Sequence, residues 1–410
     1  MQFQLTSDFI EQIAQLIAKK DGNALRKLLQ EFHFADIAEL IEELKSDQAT
    51  YLVKQLESDL TSEALMELDD DVREKILERL SPIEIAAELQ ELDTDDAADI
   101  IGELDETIQQ KVIDKIEDQE RAADIVELLN YDEDTAGALM AKELVQVKET
   151  WTVAGCVREM RRQAENVTRV HSIYVTNKEG KLTGRLSLKD LLTAEAKTKI
   201  SDVFIPKVDY VTVHTENEEV ARIMQKYDLE AIPVVDDKGI LVGRITIDDI
   251  VDFIKDEAEK DYQMAAGISQ DVEADDSIID LTKARLPWLV LGLLGGLGSV
   301  YIMRGYDEAL ATHVELFFFT PLIAAMAGNV GVQSSAIIVQ GLANDNVKGS
   351  LFKRLLKEVG LALINGLALG VLVILFGALT QMDQQVAFTI AISMLLVIIV
   401  AALVLSLIHI

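Results

Sequence analysis

The chain of 410 residues changes its hydrophobic pattern at Pro287. Before it, short apolar sets recur at the three- and four-residue spacing of helices buried on one face; after it, the apolar runs reach bilayer length. Between about Phe32 and Leu129 the sets Ile37, Leu40, Ile41; Ile83, Ile85, Ala86, Leu89; Ala97, Ile100, Ile101, Leu104; and Ala122, Ile125, Leu128 predict a succession of short helices. Ala35-Asp-Ile-Ala-Glu-Leu, Ala98-Asp-Ile-Ile-Gly-Glu-Leu and Ala123-Asp-Ile-Val-Glu-Leu repeat one phrase, which predicts a helical solenoid over residues 1–131. Ser81-Pro82-Ile83-Glu84 reads as a helix start with a cap, a first-turn proline and a capping-box glutamate.

The pattern then shortens to strand period. Ile173 to Asp190 aligns without gaps on Ile232 to Asp249, and each copy reads strand, glycine-containing turn, strand, then a helix that begins at Asp190 or Asp249. A helix precedes each copy, over Val153–Arg162 and Glu218–Tyr227. This repeat resembles the cystathionine-beta-synthase (CBS) domain pair, with copies at 137–200 and 201–251. The resemblance implies a regulatory module that often binds an adenine nucleotide. Ser187, Asp190 and Thr246, the last beside Asp249, stand where nucleotide-binding copies hold ribose and phosphate; the same residues can equally cap the following helix.

From Ile250 to about Ala265 a charged amphipathic helix is expected, with Asp252, Asp256, Glu257, Glu259 and Asp261 set against Phe253, Ile254 and Met264. It opens a connecting segment over 252–283. Four spans are expected within 284–404: Leu286–Ile302, Leu316–Ala343, Val359–Leu379 and Val386–Val404. Lys283 and Arg285 before the first span, and Lys348, Lys353, Arg354 and Lys357 between the second and third, place those ends and the soluble half in the cytosol. The second span carries Pro321, Gly328, Asn329, Gly331 and Gln333, a polar stripe at membrane depth that suits passage of a hydrophilic solute. Pro321 should kink its start. No carboxylate is expected inside a span; Glu315 stands at the mouth of the second. The last six residues, Leu405-Ser-Leu-Ile-His-Ile410, read as a translated sequencing adaptor, so the natural sequence is expected to end near Val404 with the gene continuing.

Charge separates the halves further. Of 71 acids and 38 bases, 65 and 33 precede Pro287, a net charge near 32 negative that repels nucleic acid and gathers cations. The acids Asp93, Asp95, Asp96 and Asp99 could also serve only to complement a helix N-terminus. One cysteine, Cys156, excludes an internal disulfide framework and fits a buried role in a reducing cytosol. Residues Met1 to Lys20 lack the basic start and apolar core of a signal peptide. No nucleophile and base occur in a recognisable motif, and the five histidines are scattered without metal spacing, so an enzyme is not expected.

Acidic helices, a CBS pair, an acidic connecting helix, then Arg285-Leu-Pro-Trp-Leu and Pro321-Leu-Ile-Ala-Ala-Met-Ala-Gly-Asn-Val-Gly-Val-Gln-Ser: in this order, from about Phe32 to Val404, the chain resembles the MgtE family of magnesium channels. The resemblance implies a homodimer in the cytoplasmic membrane, five spans per chain with the second and fifth lining the pore, Mg2+ as both substrate and effector, and possible tuning by ATP. It implies regulatory Mg2+ ligands at Asp95 and Asp99 in the helical domain, at Glu216, Glu218 and Asp228 in the second CBS copy, and at Asp249, Asp252, Glu257 and Asp261 near the connecting helix. Lys260 replaces an acid the family pattern has there. A fifth span with its ion-binding aspartate has no counterpart in these residues, so the chain as given is expected to conduct no magnesium. A membrane-anchored CBS nucleotide sensor without transport is the alternative.

Overall fold

The computed structural model describes residues 5–163, 169–270, 272, 276–343 and 351–408. They form two compact units, Met1–Lys255 and Asp256–Ile410. The first unit opens with ten helices among the described residues: α1 (Ser7–Ala18), α2 (Gly22–Leu29), α3 (Phe34–Glu42), α4 (Ser46–Val53), α5 (Ser58–Met66), α6 (Asp70–Leu77), α7 (Pro82–Leu89), α8 (Thr94–Gly102), α9 (Glu106–Ile113) and α10 (Gln119–Leu128).

Helices this short do not hold alone in water, so each depends on its buried stripe. From α3 onward the packing pairs each helix with the second one along, α3 with α5, α4 with α6, α5 with α7, α7 with α9 and α8 with α10, which is the solenoid. Ile37, Leu40, Ile41, Ile85, Ala86, Leu89, Ala97, Ile100, Ile101, Ile125 and Leu128 are buried as the spacing requires. Ile83, expected among them, is instead 64% exposed. At 100° per residue it lies roughly 115° around the helix from the middle of the stripe made by Ile85, Ala86 and Leu89, too far to reach the core.

Arginines stitch the turns. Arg73 is buried; its Nε meets Glu103 Oε2 at 2.9 Å and its Nη1 the carbonyl of Leu68, just past α5, at 3.1 Å. Arg121 repeats the arrangement one pair later, donating from Nη2 to the carbonyls of Leu89 (2.9 Å) and Leu92 past α7. A guanidinium at a helix C-terminus satisfies carbonyls the helix leaves open and opposes its dipole.

Glu88 is a buried acid held by hydroxyls where the arginines above are held by carboxylates and carbonyls. Glu88, on α7, accepts from Thr61 Oγ1 at 2.6 Å and Ser58 Oγ at 3.4 Å, and burial, with Glu91 nearby, pushes its carboxyl up to about 7. The folded chain therefore holds this proton where the unfolded chain has lost it. Its contribution is full below the ordinary value of 4.5 and is lost as pH rises through about 7. Glu88→Gln removes the charge, keeps one acceptor oxygen for Thr61 Oγ1, and turns the other contact round, its amide donating to Ser58 Oγ. It should flatten the fall in urea midpoint between pH 5 and pH 8, followed by circular dichroism, and stabilise the protein at pH 8 by about 2–3 kcal/mol.

After the solenoid come two copies of one α/β motif. The first contains β1 (Val145–Lys148), α11 (Val153–Gln163), β2 (Ile173–Thr176), β3 (Leu182–Leu186), α12 (Leu188–Thr193) and β4 (Ile205–Pro206), in sheet order β1-β2-β3-β4. The second contains β5 (Val211–Thr212), α13 (Asn217–Tyr227), β6 (Ala231–Val235), β7 (Leu241–Thr246) and the start of α14 (Ile247–Ala265), with order β5-β6-β7. In each copy the first strand runs parallel to the second, and the second pairs antiparallel with the third. Gly180 (φ 87°) and Gly239 (φ 79°) supply the left-handed turn residues. The two turns then bond each other: Leu182 N donates to Gly239 O and Leu241 N to Gly180 O, both at 3.1 Å.

The cores are distributed unevenly. Cys156 is fully buried with Val145, Val147, Val153, Ile173 and Val175 in a core belonging to the first copy, and burial pushes its thiol up to about 11. The second copy has no separate core. Its Val211, Val213, Val220, Met224, Ile232, Val234 and Ile245 are continuous with the apolar interior of the solenoid.

In the second unit α15 (Ile278–Arg304), α16 (Asp307–Thr312), α17 (Val314–Ala343), α18 (Leu351–Leu379) and α19 (Gln384–Ile408) follow. Among the described residues four stretches are long and apolar enough to cross a membrane: Ile278–Arg304, Val314–Ile338, Leu355–Leu379 and Gln384–Val404. α19 packs against both α17 and α18 around Ala362, Met394, Ile398 and Ala402, with Met326 and Val330 against them. Two expectations need correction. Pro287 lies inside α15, which starts at Ile278 because Ser277 caps it, its hydroxyl accepting from Asp280 N at 3.3 Å. Carboxylates do fall within these stretches, Asp280 in the first, Glu315 in the second and Glu358 in the third, and Glu358, half-buried, accepts from Ser334 Oγ of α17 at 3.4 Å. α17 itself continues through Pro321 without a break. The expected tail Leu405–Ile410 lies in the last turns of α19 up to Ile408, and 409–410 fall outside the described residues.

Candidate functional site

Helix α8 starts in a run of acids. Asp93 is its N-cap residue, Asp95 is 7% exposed with Oδ1 accepting from Asp96 N at 3.0 Å, and Asp96 is half-buried beside it. Across from them, in the first turn of α14, stands Asp249, whose Oδ2 accepts from Thr246 N (2.9 Å) and Thr246 Oγ1 (2.6 Å). Helical domain and second CBS copy thus face each other with like charges.

The proximity shows in their acidity. Burial first, then Asp96, Asp249, Asp93 and Glu143, hold the Asp95 carboxyl well above the ordinary carboxylate range. Burial followed by Asp249, Asp99, Asp93 and Glu63 pushes Asp96 up to about 8. Asp99 is pushed up to about 6 by desolvation and Glu103, against the pull of Arg73, although its side chain keeps contact with water that screens the effect. Asp249 is raised by burial, with its bonds from Thr246 opposing. Carboxylates that crowd each other out of water invite either protons or cations. Oxygen donors of this kind suit a hard divalent ion that keeps part of its water. Among the described residues no group of three or more histidine, cysteine, aspartate or glutamate side chains already converges closely enough to hold a metal. The acids are gathered, not closed.

Fixed cations and hydrogen bonds hold the cluster in place. Arg244, 5% exposed on β7, extends Nη2 to Asp93 Oδ2 at 2.9 Å and Nε to the carbonyl of Glu143. The Glu143 carboxylate in turn accepts from Thr94 N (3.1 Å) and Thr94 Oγ1 (2.7 Å) through Oε2 and pairs with Arg121 Nη1 (3.0 Å) through Oε1. Main-chain bonds run alongside: Ala141 N to Arg244 O at 2.8 Å, Arg244 N to Ala141 O at 2.9 Å, Ala136 N to Thr215 O at 2.8 Å.

The other expected ligands lie apart. Glu216 is the N-cap residue of α13 and Glu218 is in its first turn, whereas Asp228 is the left-handed C-cap (φ 49°) at the far end. Eleven residues of helix separate them by about 16 Å. Asp252 is exposed one turn after Asp249; Glu257 and Asp261 are half-buried further along the same helix, Asp261 about 18 Å from Asp249 at the helical rise. Lys260 is exposed between them. Only Asp95, Asp99 and Asp249 of the expected set come together, and Asp96, Arg244 and Glu143, absent from that set, join them.

At the positions expected for a nucleotide, Ser187 caps α12, its Oγ accepting from Asp190 N at 3.0 Å and donating to Asp190 Oδ2 at 2.6 Å, and Thr246 pairs with Asp249 as above. Nearby on β2, Tyr174 is fully buried, its Oη lacks a hydrogen-bond partner, and burial pushes it up to about 12. In the spans, Gly331 is buried, while Pro321, Gly328, Asn329 and Gln333 are exposed on the single chain.

Comparison with known proteins matches residues 32–134 to the MgtE intracellular N domain, 136–197 and 200–256 to CBS domains, and 320–410 to a divalent cation transporter family described as MgtE. The magnesium transporter MgtE of Thermus thermophilus is 38% identical over 250 residues, 60% of this chain and 56% of that protein. Its counterpart in Bacillus subtilis is 33% identical over 277 residues, 67% of this chain and 61% of that protein. The chain thus spans little more than half the length of these curated relatives. A crystal structure of the cytosolic domain of the Mg2+ channel MgtE in complex with ATP is 36% identical, with a TM-score of 0.56 over 60% of this chain and 99% of that one. The soluble part of a magnesium transporter gives 29% identity and a TM-score of 0.55 over 61% and 98%.

Proposed function

The chain belongs to the MgtE family, and on that premise we propose that it serves Mg2+ uptake across the cytoplasmic membrane, as a homodimer gated by cytosolic Mg2+. The observation that carries this reading is the acid cluster of Asp95, Asp96, Asp99 and Asp249, where two domains that share an apolar interior set like charges against each other. Divalent ions bridge the carboxylates and hold helical domain and CBS pair together; when cytosolic Mg2+ falls, repulsion loosens them. The transported ion is then its own effector, and binding and conformation are linked reciprocally.

Within this reading residues 1–131 are the sensing solenoid, 137–200 and 201–251 the regulatory pair, 252–283 the connecting segment and 284–404 the membrane part. Pro321, Gly328, Asn329, Gly331 and Gln333 line the ion path, a role that the exposed polar side chains of Asn329 and Gln333 support. Glu216, Glu218, Asp228, Asp252, Glu257 and Asp261 serve further ions at separate points. ATP is the nucleotide we assign to the CBS pair. Its ribose and phosphates would meet Ser187, Asp190 and Thr246.

Limited proteolysis of the full chain in lipid nanodiscs, titrated with MgCl2 against NaCl of equal ionic strength, tests the gating. Protection of the region between Leu128 and Val145 is expected at millimolar Mg2+ and not in the NaCl series. Equal cleavage in both would reject an ion lock and favour a nucleotide sensor.

A further inference from the structure

Helix α8, which carries three of the four clustered acids, satisfies Asp96 N with its own Asp95 Oδ1, but its N-cap residue does not cap it. Its N-cap residue Asp93 makes no side-chain cap bond and reaches instead to Arg244. The cap comes from Glu143, 49 residues downstream, which accepts both the amide and the hydroxyl of Thr94. Lys142 N closes the arrangement by donating to Thr94 Oγ1 at 2.9 Å. Thr94 is 1% exposed and the Glu143 side chain 12%, so the bonds form with little water to compete.

We propose that Glu143 is a positioning residue for the ion lock: supplied by the start of the first CBS copy, just before β1, it caps α8 and holds the acids of that helix in register with Asp249 whether or not a divalent cation is bound. The ion-lock role rests on the function proposed above. The clasp itself rests on geometry, through three elements that meet at one residue: the α8 N-terminus and Arg121 of α10 at the Glu143 carboxylate, and Arg244 of β7 at its carbonyl.

Two physical effects of Glu143 oppose each other, which makes the proposal decidable. As a hydrogen-bond acceptor and ion-pair partner it draws the domains together. As one more negative charge beside Asp95 it pushes them apart. Removal of the side chain loosens α8 if the clasp dominates and tightens it if repulsion dominates.

Hydrogen–deuterium exchange of the full chain in nanodiscs, in EDTA at pH 7.5, reads the difference. With Glu143→Ala, exchange in peptides covering residues 93–98 should quicken at least tenfold while α3 is unchanged. Glu143→Gln, which retains an acceptor oxygen, should stay within threefold of wild type. The Mg2+ concentration for half-protection should rise at least threefold in the alanine variant. Unchanged or slower exchange in EDTA would overturn the proposal. If Glu143→Ala quickens exchange throughout the chain, Thr94→Val decides: it leaves the Arg121 pair intact, and local quickening of at least threefold supports the clasp, whereas no change overturns it. A wild-type chain that Mg2+ does not protect overturns the ion lock, and Glu143's part in it, independently of the EDTA comparison.

Discussion

Asp96→Asn should hold α8 against α14 without any divalent ion and blunt the response to Mg2+. In the wild type, Asp96 is pushed up to about 8, by burial first and by Asp249, Asp99, Asp93 and Glu63 after it. For an acid raised above its ordinary 3.8, the docked state binds a proton that the undocked state releases, so docking is favoured at low pH and weakens as pH rises toward 8. Asparagine keeps the shape and removes the charge. At pH 8 the docked state should gain about 2–3 kcal/mol. Exchange measured in EDTA should show the variant protected at α8 from pH 6 to pH 9, where the wild type loses protection as pH rises, and Mg2+ should add at most twofold to the variant. A variant with wild-type pH and Mg2+ dependence would show that Asp96 does not bear the repulsion.

Arg73→Met should cost the solenoid about 3–5 kcal/mol, the range for removal of one partner of a buried ion pair. The guanidinium forks onto both oxygens of Glu103, contacts Asp70 and caps the carbonyls of Leu65 and Leu68, and these attractions hold its pKa above normal despite the desolvation that lowers it. Methionine fills the volume but leaves Glu103 without its cation and the carbonyls of Leu65 and Leu68 without a donor. Lysine restores the charge without the fork, so Arg73→Lys should recover less than half of the loss. The urea midpoint of the full chain, with exchange of the α5 and α9 peptides as the local measure, separates these outcomes; equal stability of wild type and methionine variant would contradict the role given to Arg73.

How much of this was legible depended on the range of the interaction. Solenoid helices and paired CBS motifs were readable because a 3.6-residue stripe and a gapless internal repeat are local signals, and the two glycine turns mark their own conformation. Ile83 was misplaced because a hydrophobic residue beside a stripe looks like part of it until the helical phase is fixed. The leading strands β1 and β5 went unread. Their two to four residues carry too short an alternation to detect. The third span was begun too late because Glu358 reads as a boundary charge, and only the approach of Ser334 from another helix brings it inside. In the cluster, Asp95, Asp99 and Asp249 were accessible through family resemblance. Arg244 and Glu143 were not, although Gly243-Arg244 repeats Gly184-Arg185 in the other copy. Partners 49 to 151 residues apart leave no spacing signal in a single sequence.

The continuity of the solenoid interior with the second CBS copy has a consequence for synthesis. Leu128 closes the helical series, but Val211, the first strand residue of the shared interior, lies roughly 80 residues further on. At 5–20 residues per second, translation leaves the last helices without that cover for roughly 4–16 s. The first CBS copy, with a core of its own around Cys156, emerges during this interval and can fold alone. Final closure then joins the earliest-made part of the unit to the latest, a long loop whose entropy favours a slow last step. Ribosome stalling or a chain break between residues 131 and 211 would therefore strand an apolar helical surface, and such nascent chains are expected to engage chaperones more strongly than chains released after Ile250.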